Sequence, residues 1–167
     1  VRVTLVNPRS IFVERVRLHQ LVGGSDDGVV DYDEVLASGV GLVVGTATRI
    51  DAAGRSVTLS TGETVGYDYL VYAVGSGTAH GSVPGAADFA LPMASLEEAR
   101  RLRAVVDAAP MAAAITVVGA GPTGIETAAE LAELGREVTL AGGEVLGPYL
   151  HPRVRRSVAK RLRGLGV

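Results

Sequence analysis

The sequence predicts an α/β chain built on parallel strands, and three observations predict it. An apolar strand, a glycine turn and a helix follow one another in "AITVVGAGPTGIETAAELAELG", residues 114–135. Upstream, strand patterns separated by turn residues run from Val40 to Gly75 and read as a β-meander. Composition supplies the third: 47% of the 167 residues are hydrophobic, yet there are only two Phe and no Trp. Val, Ala, Leu and Gly must therefore build the core, which suits tightly packed α/β layers.

Taken in order, Val1 to Val6 is a β-branched run expected as a parallel strand buried on both faces. "PRSIFVERVRLHQLVGG" mixes loop and short helix, and the polar "SDDGVVDYDEVLASG" carries one helical turn near Tyr32 to Ala37. "VGLVVGTATRID" reads as the meander's first strand, "AAGR" as a turn and "SVTLSTG" as its second strand. "ETVGYDYLVYAVGSG" is the third, feeding a final apolar strand from Tyr69 to Val74. A Gly/Pro-bearing linker, "TAHGSVPGAADFALPM", follows. Ser95 and Glu98 form a capping box, each side chain satisfying an orphan N–H of the other, and start a helix that runs to about Ala108. Pro110 ends it, and Ile115 to Val118 is the next strand. The helix after the glycine turn reaches about Leu134 and stops at Gly135. The strand "EVTLAGG" and a basic helix from Pro152 to Arg163 complete the reading.

Charge and cysteine content remove several function classes. The net charge of −2 offers no strong pull toward nucleic acid or an acidic membrane. With no Cys, the chain has no disulfide framework, Cys-ligated metal or dithiol chemistry of its own. No apolar run approaches the roughly 18 to 20 residues of a membrane span, and a cytoplasmic location is the default expectation. Three scattered histidines without clustered carboxylates argue against a metal site. His19 is expected as a packed or capping residue, His80 as solvated and His151 as part of a helix cap.

Gly119, Gly121 and Gly124 match G-x-G-x-x-G with a strand before and a helix after, the context that predicts dinucleotide binding. The first glycine makes the tight turn and the second lets the backbone approach a pyrophosphate. The third lets the helix pack closely on the strand. Pro122 and Thr123 complete the turn, and the pyrophosphate would sit on the helix N-terminus. An acid about 20 residues past the turn should hold the adenosine ribose. Glu144 qualifies by count, whereas the strand end itself is Gly142; Glu144 is either a ribose ligand or a solvated loop residue. Arg153, Arg155, Arg156, Lys160, Arg161 and Arg163 read chiefly as a solvated helix face, with a 2′-phosphate role as the lesser option. NAD and NADP both remain open.

The order of strand, meander, "YDYLVYAVGSGT", "VPG", the "SLEEA" helix and "VVGAGPTGIETAAELAE" resembles the pyridine-nucleotide-dependent FAD oxidoreductases. Within them it is most similar to the single-chain NADH dehydrogenase and apoptosis-inducing-factor-like branch. The absence of Cys sets aside the disulfide-reductase branches for this stretch. The resemblance implies two nested Rossmann-like domains, FAD- and NAD(P)-binding, both incomplete. They divide as residues 1–80 (partial FAD-binding), 81–110 (linker and helix) and 111–167 (partial NAD(P)H-binding). It explains why the glycine turn comes late: the turn would be the second of two, the chain being a segment that lacks the family's first glycine motif and its C-terminal part. Made alone, such a segment is expected to be poorly stable or self-associating and not to retain FAD.

The same resemblance assigns site residues. Ala73, Val74 and Gly75 correspond to an Ala-Thr-Gly turn whose backbone passes near FAD, with Val74 in place of Thr. Asn7 stands where the family has an acid on the FAD ribose, and Arg9 would lie over adenine or against a phosphate. Thr46 and Ala47 would touch the adenine edge through the backbone. Glu126 either faces the nicotinamide side, as in several relatives, or complements the helix dipole. The implied activity is an FAD-dependent NAD(P)H oxidoreductase passing hydride from nicotinamide to flavin and electrons on to a quinone or another small acceptor. The alternatives are a flavin reductase subunit for a ferredoxin- or rubredoxin-type partner and a non-catalytic, redox-sensing nucleotide module. The resemblance also leaves open a homodimer and a peripheral membrane association of the parent protein.

Overall fold

The computed structural model describes residues 1–77 and 83–167, which divide into two compact units. One comprises Val1–Val13 with Val29–Ser76, the other Glu14–Gly28 with Gly77–Val167. The expected boundary at residue 80, and His80 with it, lies outside the described residues. Residues 14–28, expected with the first 80, belong to the second unit.

In the first unit, β1 (Val3–Asn7) pairs in parallel with β4 (Val40–Val44), in register from Val3↔Val40 to Asn7↔Val44. Between them lie an antiparallel pair, β2 (Ile11–Val13) with β3 (Val29–Asp31), and one helical turn, α2 (Tyr32–Val35). Tyr32 is buried and meets Phe12 edge-on, with ring centroids 6.1 Å apart. The meander is β5 (Ala47–Asp51), β6 (Ser56–Leu59) and β7 (Thr64–Gly66), an antiparallel three-stranded sheet that buries Val57 and Leu59.

Two expectations are corrected here. The single strand read across "VGLVVGTATRID" is two strands in different sheets, broken at Gly45 and Thr46. Gly45 donates its N–H to Asn7 O, ending the parallel ladder, and a Cβ there would lie 3.1 Å from Leu59 Cδ1. The chain can pass from one sheet to the other at this point because glycine leaves that space. The second correction concerns Tyr69 to Val74, which is no strand: β7 stops at Gly66. Its apolar residues are exposed, Tyr69 at 94% and Val71 at 84%, with no ladder partner among the described residues. A β-branched run becomes a strand only where a neighbour takes its backbone hydrogen bonds.

The second unit is α/β. A 3-10 turn at Arg15–Arg17 leads into α1 (Leu18–Gly23), which packs on α4 (Leu96–Ala108) and α5 (Pro122–Glu133). Leu18, Leu21 and Val22 recur at helical spacing and are buried with Leu96, Ala99, Ala128 and Leu131. The short α3 (Ala86–Phe89) precedes α4, whose capping box forms as expected: Glu98 N donates to Ser95 Oγ at 3.3 Å, and Ser95 N to Glu98 Oε2 at 3.0 Å. β8 (Ile115–Val118) and β9 (Val138–Ala141) pair in parallel, and α5 crosses between them. Gly135 closes α5 with φ +80°, and α6 (Pro152–Gly164) follows. Among the described residues no helix is long and apolar enough to cross a membrane.

Candidate functional site

The glycine turn joins the C-terminal end of β8 to α5, the place where open α/β sheets bind nucleotides. Gly119 donates its N–H to Ala141 O at 2.7 Å, carrying the β8–β9 ladder one residue into the turn, and adopts φ +116°. A Cβ on Gly124 would fall 1.8 Å from Gly119 O, so only glycine lets the first turn of α5 sit against the turn's backbone. Gly121 is different in kind. It is the N-cap, extended at φ −80°, and a Cβ there would meet nothing within 4 Å. Its open side is room for a ligand.

No side chain caps α5, and Pro122 at its start has no N–H to leave unpaired. The remaining first-turn N–H groups, around Thr123 and Gly124, are ones a helix cannot satisfy by itself. Together with the helix dipole they favour an anion. A dinucleotide pyrophosphate fits this cradle: donors face outward and no Cβ stands in the way.

The turn opens onto a cleft of about 540 Å³. Ala120, Gly121, Pro122, Glu144, Pro148 and Tyr149 are among the residues that line it. Glu144 is thus brought to the cleft. Gly142, at the strand end, could not carry the acid, because a Cβ there would lie 2.5 Å from Ala120 Cβ. Glu126, one turn further along α5, sits 3.5 Å from His19 Nδ1 through its Oε2. His19 is 16% exposed, a packed residue on α1, while Glu126 is half exposed at 49%. Four residues on, Glu130 accepts a hydrogen bond from Ser25, which ties α5 to the segment after α1 as well.

The basic helix is not uniform. Arg161 pairs with Glu133 at 2.6 Å, and Arg155 donates to Leu150 O at 3.1 Å. Arg153, Arg156, Lys160 and Arg163 are exposed. His151 caps α6, its Nδ1 accepting from Arg153 N at 3.3 Å. Sequence reasoning missed Tyr149 and the part played by Arg155; the signal available was an aromatic five residues past Glu144.

In the first unit, Asn7 and Thr46 come to the C-terminal ends of the parallel pair β1–β4, linked through Gly45 N and Asn7 O at 2.8 Å. Asn7 Oδ1 accepts the Arg9 N–H at 3.0 Å, which turns the chain as it leaves β1. Ala47 opens β5. Ala73, Val74 and Gly75 lie exposed in the extended stretch after β7, with Gly75 at φ +72°.

Comparison with known proteins gives the family and the fold. The sequence profile of the family described as pyridine nucleotide-disulphide oxidoreductase matches residues 1–167. An NADH dehydrogenase-like protein of Mycobacterium tuberculosis is 44% identical over 100 residues, 56% of this chain and 25% of the relative. The type II NADH:quinone oxidoreductase of the same organism is 31% identical over 163 residues, 77% of this chain and 35% of the relative. The chain thus spans about a quarter to a third of these relatives' length. The structure of NDH2 from Plasmodium falciparum in complex with RYL-552 superimposes with a TM-score of 0.78 at 20% identity, covering 99% of this chain and 42% of that one.

Proposed function

This chain belongs to the pyridine nucleotide-disulphide oxidoreductase family, and from that premise we propose that the intact protein is an FAD-dependent NAD(P)H oxidoreductase of the NADH dehydrogenase type. Its electrons pass to a quinone. The single observation that carries the reading is the glycine turn: Gly124 locked against Gly119 O, Gly121 open, and an uncapped helix N-terminus at a cleft. The quinone rests on the 31% identity to a NADH:quinone oxidoreductase.

When bound, nicotinamide and flavin supply the hydride chemistry, and the protein's part is binding, orientation and electrostatics. The turn from Gly119 to Gly124 holds the pyrophosphate of NAD(P)H, and Glu144 accepts from the adenosine ribose hydroxyls. Glu126, steadied by His19, sets a carboxylate on the nicotinamide side. In the first unit Asn7, Arg9, Thr46 and Ala47 would hold the adenosine half of FAD, and the backbone from Ala73 to Gly75 would pass near the flavin. No proton transfer is assigned to a residue of this chain.

An absorption spectrum of the intact protein tests the reading. Oxidised flavin bands that bleach on anaerobic addition of NADH, and return with a short-chain quinone, are expected. A protein without flavin bands, or with bands that NADH leaves untouched, defeats it. Bleaching that reverses with a ferredoxin-type acceptor and not with quinone would retain the oxidoreductase and reassign its partner.

A further inference from the structure

We propose that His19 is a positioning residue that makes the preference for oxidised over reduced nucleotide depend on pH, acting through the Glu126 carboxylate it meets. The inference rests on the reading above that Glu126 stands on the nicotinamide side, and adds a regulating partner to it.

Glu126 follows the glycine turn by two residues, near the start of α5, and its side chain is 49% exposed. A carboxylate that free has several rotamers open to it. His19 favours one of them: its Nδ1 lies 3.5 Å from Glu126 Oε2, on a side chain only 16% exposed. The imidazole is fixed in place, because Leu18 and Val22, 2% and 0% exposed, anchor α1 before and after it. Other charged groups that face α1 have partners of their own. Glu130 takes the Ser25 hydroxyl, Arg103 pairs with Asp107 at 2.7 Å, and Arg17 with Asp26 at 3.2 Å.

The nicotinamide ring is uncharged in the reduced nucleotide and cationic in the oxidised one. A carboxylate beside it therefore favours the oxidised form. Imidazole is the side chain that gains or loses charge between about pH 5 and 8. While it is neutral, the Glu126 charge acts on the ring undiminished. Once protonated, it draws the carboxylate toward α1 and offsets that charge. The pair thus holds NAD⁺ more firmly at higher pH and releases it more readily in acid.

The test titrates the intact, oxidised protein by calorimetry with NAD⁺ and with tetrahydro-NAD, from about pH 5.5 to about pH 8. Tetrahydro-NAD has an uncharged ring, gives no hydride and shares the adenosine half, so the ratio of the two affinities isolates the ring charge. In the parent, the ratio of NAD⁺ over analogue affinity is expected to rise about threefold or more across that range. His19→Gln, which keeps a donor without a charge, should hold the ratio at its high-pH value throughout. Glu126→Gln, at an exposed position, should lower the ratio and remove its slope. Unchanged analogue affinity in both variants shows that α1 and α5 remain packed. A parent ratio that is flat with pH, or a slope that His19→Gln leaves intact, overturns the proposal. If Glu126→Gln still lowers the ratio in that case, the nicotinamide-side reading stands without His19. If Glu126→Gln leaves the ratio unmoved, both fail. Should neither probe bind at all, the dinucleotide reading itself fails.

Discussion

His19 Nδ1 lies 3.5 Å from Glu126 Oε2, joining α1 to α5 one turn beyond the glycine turn. The pair marks where the two helices meet, but it is too exposed to hold them together. With Glu126 49% exposed, such a contact is worth about 0.2–1 kcal/mol. The apolar seam beside it counts for more, since Leu18 is only 2% exposed. Loss of a buried leucine costs about 2–5 kcal/mol. In the intact protein, His19→Ala and Glu126→Ala should show a coupling below about 1 kcal/mol in a double-mutant cycle of urea unfolding. Leu18→Ala alone should lose at least about 2 kcal/mol. A coupling larger than the leucine effect would show that the His19–Glu126 contact governs the packing.

Gly121 and Gly124 sit three residues apart and should fail in opposite ways. Alanine at 124 would place a Cβ 1.8 Å from Gly119 O, backbone that cannot step aside. We expect Gly124→Ala to lose about 1–3 kcal/mol or more of stability. A Cβ at 121 meets no protein atom within 4 Å, and valine there should cost under about 1 kcal/mol. Its effect belongs to the ligand: KM for NADH rising about tenfold or more, with the melting temperature nearly unchanged. Unaltered affinity in Gly121→Val would remove the pyrophosphate from this turn.

Asp26 gives the segment after α1 an acid dependence. Gly28 N–H donates to its Oδ1 at 2.7 Å, and Arg17 Nη1 to its Oδ2 at 3.2 Å. Chiefly the Gly28 hydrogen bond, and then Arg17, hold its carboxyl below the ordinary range. The folded value is depressed, so the stabilisation is complete above the unfolded value of about 3.9 and disappears as pH falls through the lower folded one. Asp26→Asn should therefore lower the urea midpoint at neutral pH, with the gap to the parent closing in acid. A gap that stayed constant with pH would assign the loss to packing.

What the sequence made legible follows the range of the interactions involved. The capping box at Ser95 and Glu98, the turn at Gly119 to Gly124 and the stop at Gly135 depend on neighbours a few residues away, and they lie where spacing places them. Strand assignment fared worse, because a strand is defined by its partner. "VGLVVGTATRID" is uniformly β-prone, yet Gly45 divides it between two sheets, and the apolar run from Tyr69 to Val74 pairs with nothing described. A short helix was readable in the stretch that holds Leu18, Leu21 and Val22, but not the apolar face these three make nor that α4 and α5 cover it. Arg136 is a similar case. Its guanidinium donates to the carbonyls of Val106, Ala109 and Pro110, closing the end of α4 from about thirty residues away. Nothing local announces that contact.

The choice between NADH and NADPH turns on the same kind of long-range fact. An acid is expected at the end of the second strand, on the ribose hydroxyls. Here that position is Gly142, and a side chain there would be driven into Ala120, with Cβ atoms 2.5 Å apart. Glu144 lines the cleft with Gly121 and Tyr149, and we propose that it takes that role. An ionised carboxylate there accepts from two ribose hydroxyls but repels a 2′-phosphate, so it should favour NADH. Glu144→Ala should lower the ratio of kcat/KM for NADH over NADPH by about tenfold, through loss of the hydrogen bonds and of the repulsion together. Glu144→Gln, which keeps a hydrogen-bonding group and removes the charge, should fall between the two. Gly142→Asp should not restore the preference, because the clash with Ala120 distorts the turn before the acid can reach a ribose. A ratio unmoved by Glu144→Ala would place Glu144 on the solvated surface of the loop and leave the discrimination to the arginines of α6.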